Sequence, residues 1–502
     1  MSIIHEMGAL ILEKFGFQPT EQQAEAVECI ASFLLDTDRD SAFLLRGYAG
    51  TGKTSLVGAV VKALGELKHR VVLMAPTGRA AKVFSLHAEH TAFTIHKRIY
   101  RQKSFSGEMI DFLQGVNLMK HTLFIVDEAS MISNEGLQGQ AFGSGHLLDD
   151  LVQFVYSGEG CRLMLVGDTA QLPPVGEELS PALSADMLAG YGLQVTERTL
   201  SQVVRQMDTS GVLFNATLLR QLLSEGDWGA FPQLRLAGFS DVINISGADL
   251  IEALEHAYHD CGTDQTIVIT RSNARANRFN QGIRARVFNY EEELTGGDQV
   301  MIVKNNYHWG KPDVEAPLQD ASAANEPQSP SPSNSMDFIA NGDIATVRRV
   351  RWEREEHGFR FVDLQLSFPD YEDLEVEATT LLNTLHSEAP ALTRAEQEQL
   401  FQSVWNDYPE FHNKRDRMKA VKEDSYFNAL QIKYAYAVTC HKAQGGQWQR
   451  VFVDQGYLTE EMLTPDYFRW LYTAVTRATE TLYLINWPSS MLDADSKLLM
   501  TD

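Results

Sequence analysis

The stretch GYAGTGKTS at residues 47–55 carries the most specific chemistry in the chain. It fits G-x-x-x-x-G-K-[ST] and lies between an apolar run and a helix-like segment. In that context backbone N–H groups of the loop and the helix N-terminus surround the β- and γ-phosphates of a nucleotide. Gly47, Gly50, Thr51, Gly52, Lys53, Thr54 and Ser55 form the expected cradle for ATP. Lys53 supplies a point charge, and Thr54 a hydroxyl for Mg²⁺. The matching acids stand in IVDEAS, 125–130. A carboxylate at the end of a neighbouring strand holds the metal in phosphate-loop enzymes, which suits Asp127, and Glu128 then serves as general base on the attacking water. These two motifs specify a nucleoside triphosphatase and no more; a small-molecule kinase carries them too.

Positioning these groups requires strands that end in polar residues. AFLLRG, RVVLMAP, TLFIVDEAS and CRLMLVGD are short apolar runs that do so, with helix-like stretches such as TSLVGAVVKALGEL between them. That alternation predicts a parallel sheet covered on both faces, with ligands at the carboxyl ends of its strands. A second block follows from about Thr199. It includes QTIVITRSNARANRFNQGIR and resumes at YAYAVTCHKAQG and TLYLIN. The expected class is therefore α/β, with two phosphate-loop (RecA-like) units. Residues 344–380, with Val362, Leu364, Leu366 and Phe368 alternating with polar neighbours, predict an inserted antiparallel β module. TRAEQEQLFQSVWNDY and KRDRMKAVKED predict two charged helices after it, and the Pro/Ser/Ala-rich stretch 312–335 predicts a flexible loop. The resulting division is 1–198 for the first unit, 199–343 with 429–502 for the second, and 344–428 for the insert.

Composition narrows the class. A hydrophobic content of 44% over 502 residues suits several folded domains. No apolar run reaches the ~18 residues of a membrane span. The N-terminus lacks a basic region and a cleavage site, and the four cysteines form no CxxC pair. An intracellular, cytoplasmic protein with reduced thiols and no membrane association is the expectation. The formal charge of −24 argues against a nucleic-acid partner. Screening over about 8 Å weakens that argument and lets a basic groove coexist with an acidic exterior. Lys68, Arg70, Arg79, Lys82, Lys97, Arg98, Arg101 and Lys103 stand against only Glu66 and Glu89 nearby.

The remaining motifs and their order decide among triphosphatases. They are FQPTEQQ, APTGRAAK (75–82), TIHK (94–97), GDTAQLPPVG (167–176), VVRQ (203–206), VTCHKAQGGQ (438–447) and YTAVTRA (472–478). With these the chain resembles the superfamily 1B DNA helicases, the RecD/Dda-like group, from Gln23 to Arg477. The resemblance implies an adenine-reading Gln23, a γ-phosphate sensor at Gln171, and two arginine fingers at Arg205 and Arg477. It implies single-strand contacts by Thr77, His96, Thr439 and His441, with Lys442, Gln444 and Gly445 at the join between nucleotide and strand. Single-stranded and forked duplex DNA are the implied partners, with replication or repair proteins beyond them, and movement is 5′→3′. Residues 98–118 resemble the family's unwinding pin, with Tyr100 or Phe105 near a tip at Ser106-Gly107. The 344–380 module resembles its SH3-like insert. Gln23 lies almost at the start of the chain and Arg477 near its end at Asp502, so a compact, monomeric Dda-type protein is expected. A translocase that displaces proteins without unwinding, and a noncatalytic nucleotide switch, stay open as alternatives.

Overall fold

The computed structural model describes residues 3–36, 40–102, 112–135, 143–204, 209–310 and 339–498. A six-stranded parallel sheet forms the first unit. Its strands run in the order 92–94, 70–75, 122–126, 162–167, 41–47, 194–200. The central strand Thr122–Val126 is buried at every position, as both-face coverage by helices requires. The helix Glu21–Leu35 begins with a capping box in which Thr20 and Gln23 satisfy each other's backbone N–H groups.

The second unit is a five-stranded parallel sheet in the order 437–439, 266–270, 448–454, 478–485, 242–245. The α/β parallel-sheet class expected from the strand punctuation is thus present in both halves.

The insert is a closed barrel of five strands: Gln299–Ile302, Ile344–Glu356, Phe359–Phe368, Leu374–Leu381 and Leu430–Tyr434. Three of them form the expected antiparallel module, and Val362, Leu364, Leu366 and Phe368 all point inward and are buried. Its first hairpin turns at His357-Gly358, both at positive φ (55° and 78°), the geometry of a two-residue type I′ turn. Closure by the first and last strands lies outside the 344–428 boundaries. The barrel interior is continuous with one face of the second sheet, through Val268 and Phe452. The two charged helices form at Arg394–Asn406 and Lys414–Glu423, and they pack Leu400, Val404 and Val421 against Phe359 and Phe361.

Where the pin is expected, Tyr100–Gln102 pairs antiparallel with Phe112–Gln114. Phe105 and Ser106-Gly107 lie outside the described residues, as does the 312–335 loop. Tyr100 sits at the base of this pair rather than near its tip: it is buried and donates its hydroxyl to Asp150 at 2.7 Å.

Candidate functional site

The strand Ser41–Gly47 lies between Arg162–Gly167 and Gln194–Leu200, with Arg46 in register with Gly167. The loop therefore leaves Gly47 beside Asp168. Gly50 and Gly52 take φ of 75° and 79°, which L-side chains resist, and Gly52 precedes the helix Lys53–Glu66. The Lys53 ammonium is folded back onto the Tyr48 carbonyl at 3.0 Å, and the Thr51 hydroxyl donates to the same oxygen at 2.8 Å. Thr54 is half-buried and Ser55 exposed in the first helical turn. Gln23, expected to read adenine, is bonded on both sides within the chain. Its oxygen accepts from Thr20 N–H and its amide donates to Thr51 O, each at 3.0 Å, and the side chain is buried. It is a strut between the helix cap and the phosphate loop, and reading a base requires giving up both bonds.

Four polar groups converge from the neighbouring strand ends. Asp127 is buried and accepts from Glu128 N–H at 2.8 Å. Burial, then the Glu128 charge, push its carboxyl up to about 6, against the opposing pull of that N–H and of Lys53. Glu128 holds a left-handed backbone (φ 52°), and its Oε2 is buried without a hydrogen-bond partner. Asp168, also buried, is raised by burial and held down in part by Lys53. Gln171 is buried with its Oε1 unpartnered. Orphaned buried oxygens at this spot are what a magnesium-bound triphosphate with its water would satisfy. Among the described residues no three His, Cys, Asp or Glu side chains form a metal cage. Thr54 and Asp127 would hold the ion together with phosphate oxygens, the usual habit of Mg²⁺.

The second unit closes this cleft. From the helix Pro465–Val475, Tyr472 accepts from Ala49 N–H at 2.8 Å and donates to Asp168 at 2.6 Å. Thr473 accepts from Leu172 N–H at 2.9 Å, and Gln444 donates to Leu172 O at 2.7 Å. Arg477 is buried and donates to Thr473 O, Gly446 O and the Thr476 hydroxyl. Arg205 lies outside the described residues. The chain preceding it rests on the phosphate loop, where Val204 N–H donates to Gly50 O at 3.0 Å. Neither Asp168 nor Tyr472 was singled out from sequence, although both stand inside quoted motifs. A carboxylate and a phenol within apolar runs carry no spacing signal of their own.

On the other edge, Ala75 is in register with Thr94, so Thr77 and His96 emerge side by side from adjacent strand ends. Thr77 caps the helix Gly78–Ala88. Gly445, at φ 74°, faces it so closely that a Cβ there would lie 3.2 Å from the Thr77 hydroxyl. Thr439 ends its strand in register with Thr270 and leads into His441 and Lys442. Burial lowers His96 to about 4, lowers His441, and lowers Lys442 to about 8 with help from Lys433. Lys442 also donates to Asn341 on the barrel side. In the basic run from Lys68, Lys68, Arg70 and Arg101 are exposed, whereas Arg79 and Lys82 are engaged. Arg79 covers the Trp448 ring at 4.2 Å, and Lys82 donates to Pro369 O at 2.7 Å. Trp448 is buried beneath that arginine.

The AAA domain family matches residues 18–235, and the UvrD-like helicase C-terminal domain matches 434–485. The ATP-dependent RecD2 DNA helicase of Deinococcus radiodurans is 27% identical over 299 residues. The alignment covers 58% of this chain and 36% of the Deinococcus protein, so the chain is similar to a RecD-like helicase over part of its length. The multifunctional conjugation protein TraI of Escherichia coli K12 is 28% identical over 32% of the chain and 10% of its own length. An uncharacterized protein of Acanthamoeba polyphaga mimivirus is 20% identical over 92% of the chain and 98% of its own length. The chain is also similar to a Bacteroides Pif1 helicase solved with ADP-AlF3 and ssDNA. That match covers 97% of this chain and 96% of the other at 13% identity, with a TM-score of 0.45. Among the described residues no helix is long and apolar enough to cross a membrane.

Proposed function

We propose that this protein is an ATP-dependent DNA helicase that moves 5′→3′ along single-stranded DNA and couples hydrolysis to opening of a forked duplex. The observation that carries the reading is the cross-unit cleft: Tyr472, Thr473 and Gln444 from one sheet bond to Ala49, Asp168 and Leu172 of the other.

Lys53 leaves the Tyr48 carbonyl for the β- and γ-phosphates when a triphosphate binds, because a charged acceptor makes the stronger bond. Thr54 and Asp127 would hold Mg²⁺, and its charge would favour the ionised form of the Asp127 carboxyl. Glu128, whose Oε2 is buried without a hydrogen-bond partner, takes the proton of the attacking water. Arg477 exchanges its neutral carbonyl partners for the terminal phosphate, and Arg205 joins it from the segment beyond Val204. Both fingers are needed for the full rate, so hydrolysis runs only with the units closed. On the far edge Thr77 and His96 of one unit, and Thr439, His441 and Lys442 of the other, grip successive stretches of strand. A tenfold alternation between the grips needs only about 1.4 kcal/mol, comparable to the mean stacking of one base-pair step.

Unwinding of 5′-tailed against 3′-tailed duplexes, with ATP and Mg²⁺, tests the reading. Opening of the 5′-tailed substrate alone is expected. DNA-stimulated ATPase that opens neither substrate yet strips streptavidin from an end-labelled strand would make the protein a translocase instead.

A further inference from the structure

We infer that Tyr472 is a positioning residue for hydrolysis: it sets the height of the helix Pro465–Val475, and of the turn after it that bears Arg477, against the phosphate loop. The inference rests on the helicase reading and concerns the same cleft. Tyr472 is buried, and its hydroxyl is fully used, accepting from Ala49 N–H at 2.8 Å and donating to Asp168 Oδ2 at 2.6 Å. Asp168 is itself fixed, since its other oxygen accepts from Ala170 N–H at 2.9 Å. The next residue repeats the arrangement one strand over: the Thr473 hydroxyl accepts from Leu172 N–H, directly after Gln171, and the Thr473 carbonyl accepts from Arg477 Nε at 3.0 Å. Two consecutive side chains thus index one helix against both the phosphate loop and the Gln171 segment. Arg477 follows Tyr472 by five residues, in the turn after the helix end at Val475, where its N–H bonds Ala474 O at 3.3 Å. Its guanidinium must travel from Thr473 O and Gly446 O to a phosphate while its backbone stays put. A misplacement of about 1 Å in such a group costs on the order of a hundredfold in rate, so holding the backbone is worth a dedicated bond.

The test is steady-state ATPase with and without single-stranded DNA on the full chain. Tyr472→Phe is expected to lower the DNA-stimulated kcat about tenfold, with KM for ATP within about twofold, because the lost contact acts on the transition state. Thr473→Val is expected to lower kcat in the same way, while Thr473→Ser, which keeps the acceptor, restores it. Tyr467→Phe is the control: on the same helix it loses a buried hydroxyl bond, to Gln455 at 2.9 Å, that does not reach the phosphate loop, and it should keep the parental kcat. Thermal midpoints of all variants report on folding. An unchanged kcat in Tyr472→Phe, or a loss carried wholly by KM, overturns the inference, as does an equal loss in Tyr467→Phe. A parent protein without DNA stimulation would instead defeat the helicase reading.

Discussion

The nucleotide cleft and the strand-gripping edge are built on opposite signs of the same strain. In the cleft, buried carboxylates are pushed up: Asp127 to about 6, with Asp168 raised as well, and Glu128 keeps an oxygen without a partner. On the other edge, basic groups are pushed down, Lys442 to about 8 and His96 to about 4. Each edge holds groups whose charged form burial disfavours, and in the proposed function a ligand of the opposite sign would favour that form, Mg²⁺ in one case and phosphodiesters in the other. The difference lies in the connections. Cleft residues bond across the unit interface at several points, through Tyr472, Thr473 and Gln444. The strand edge meets its opposite unit through close packing of Gly445 on Thr77 and Ala80 and through Arg79, which covers Trp448 and donates to Gln447 O at 3.0 Å in an exposed bond. The cleft bonds through Asp168 and Leu172 are buried, so the units are held more firmly there than at the strand edge.

The largest effect should come from breaking the cleft's long-range charge. Arg477→Lys keeps the charge but loses the planar fork, so kcat should fall about 10³-fold or more, with single-strand affinity nearly unchanged. Stopped-flow ATPase together with fluorescence anisotropy of a labelled strand measures both. A lysine variant at parental rate would mean that Arg477 remains with Thr473 and Gly446 throughout the cycle.

Asp127→Asn separates the cleft's stability from its chemistry. The folded carboxyl binds its proton more tightly than the unfolded one, so its stabilising contribution is complete below about pH 4 and is lost as pH rises through 6. At pH 7 the unliganded protein carries the cost of an ionised, buried Asp127. The asparagine variant should melt a few degrees higher there, on the order of 2 kcal/mol, and show no such gain at pH 4. It should also lose ATPase and the extra stabilisation that Mg²⁺ adds to bound nucleotide. Calorimetry at the two pH values, with and without Mg²⁺, reads all three.

Legibility in the sequence follows the same division. Phosphate-loop glycines, the Asp127-Glu128 pair and the strand ends were readable because each is fixed by a local rule: positive φ, a carboxylate at a strand tip, an apolar run stopped by a polar residue. The Val362–Phe368 alternation announced one barrel wall for the same reason. Barrel closure was not readable, because Gln299–Ile302 and Leu430–Tyr434 are short, buried strands far apart in sequence, without alternation to mark their pairing. Tyr100, expected near a hairpin tip, lies at its base, bonded to Asp150. A side chain able to meet a ligand can equally meet its own backbone or a buried carboxylate, and only the fold tells which is in reach. Tyr472 is the converse, an unmarked residue made central by a contact between segments more than four hundred positions apart.

The smallest effect belongs to the strand edge, and it sharpens the contrast best. Lys442 titrates near 8 in the free protein, whereas a phosphodiester beside it favours the charged form and raises that value. Binding a strand should then take up a proton above pH 8, and affinity should decline as pH rises from 7 to 9. In Lys442→Met the decline should flatten, and the slope of log affinity against log salt should shrink by about 0.7, the share of one contact on a single strand. Anisotropy titrations across pH and salt decide the matter. A variant that keeps the parental pH profile would leave Lys442 bonded to Asn341 and outside the strand path, and the edge would then lack the depressed cation on which its likeness to the cleft depends.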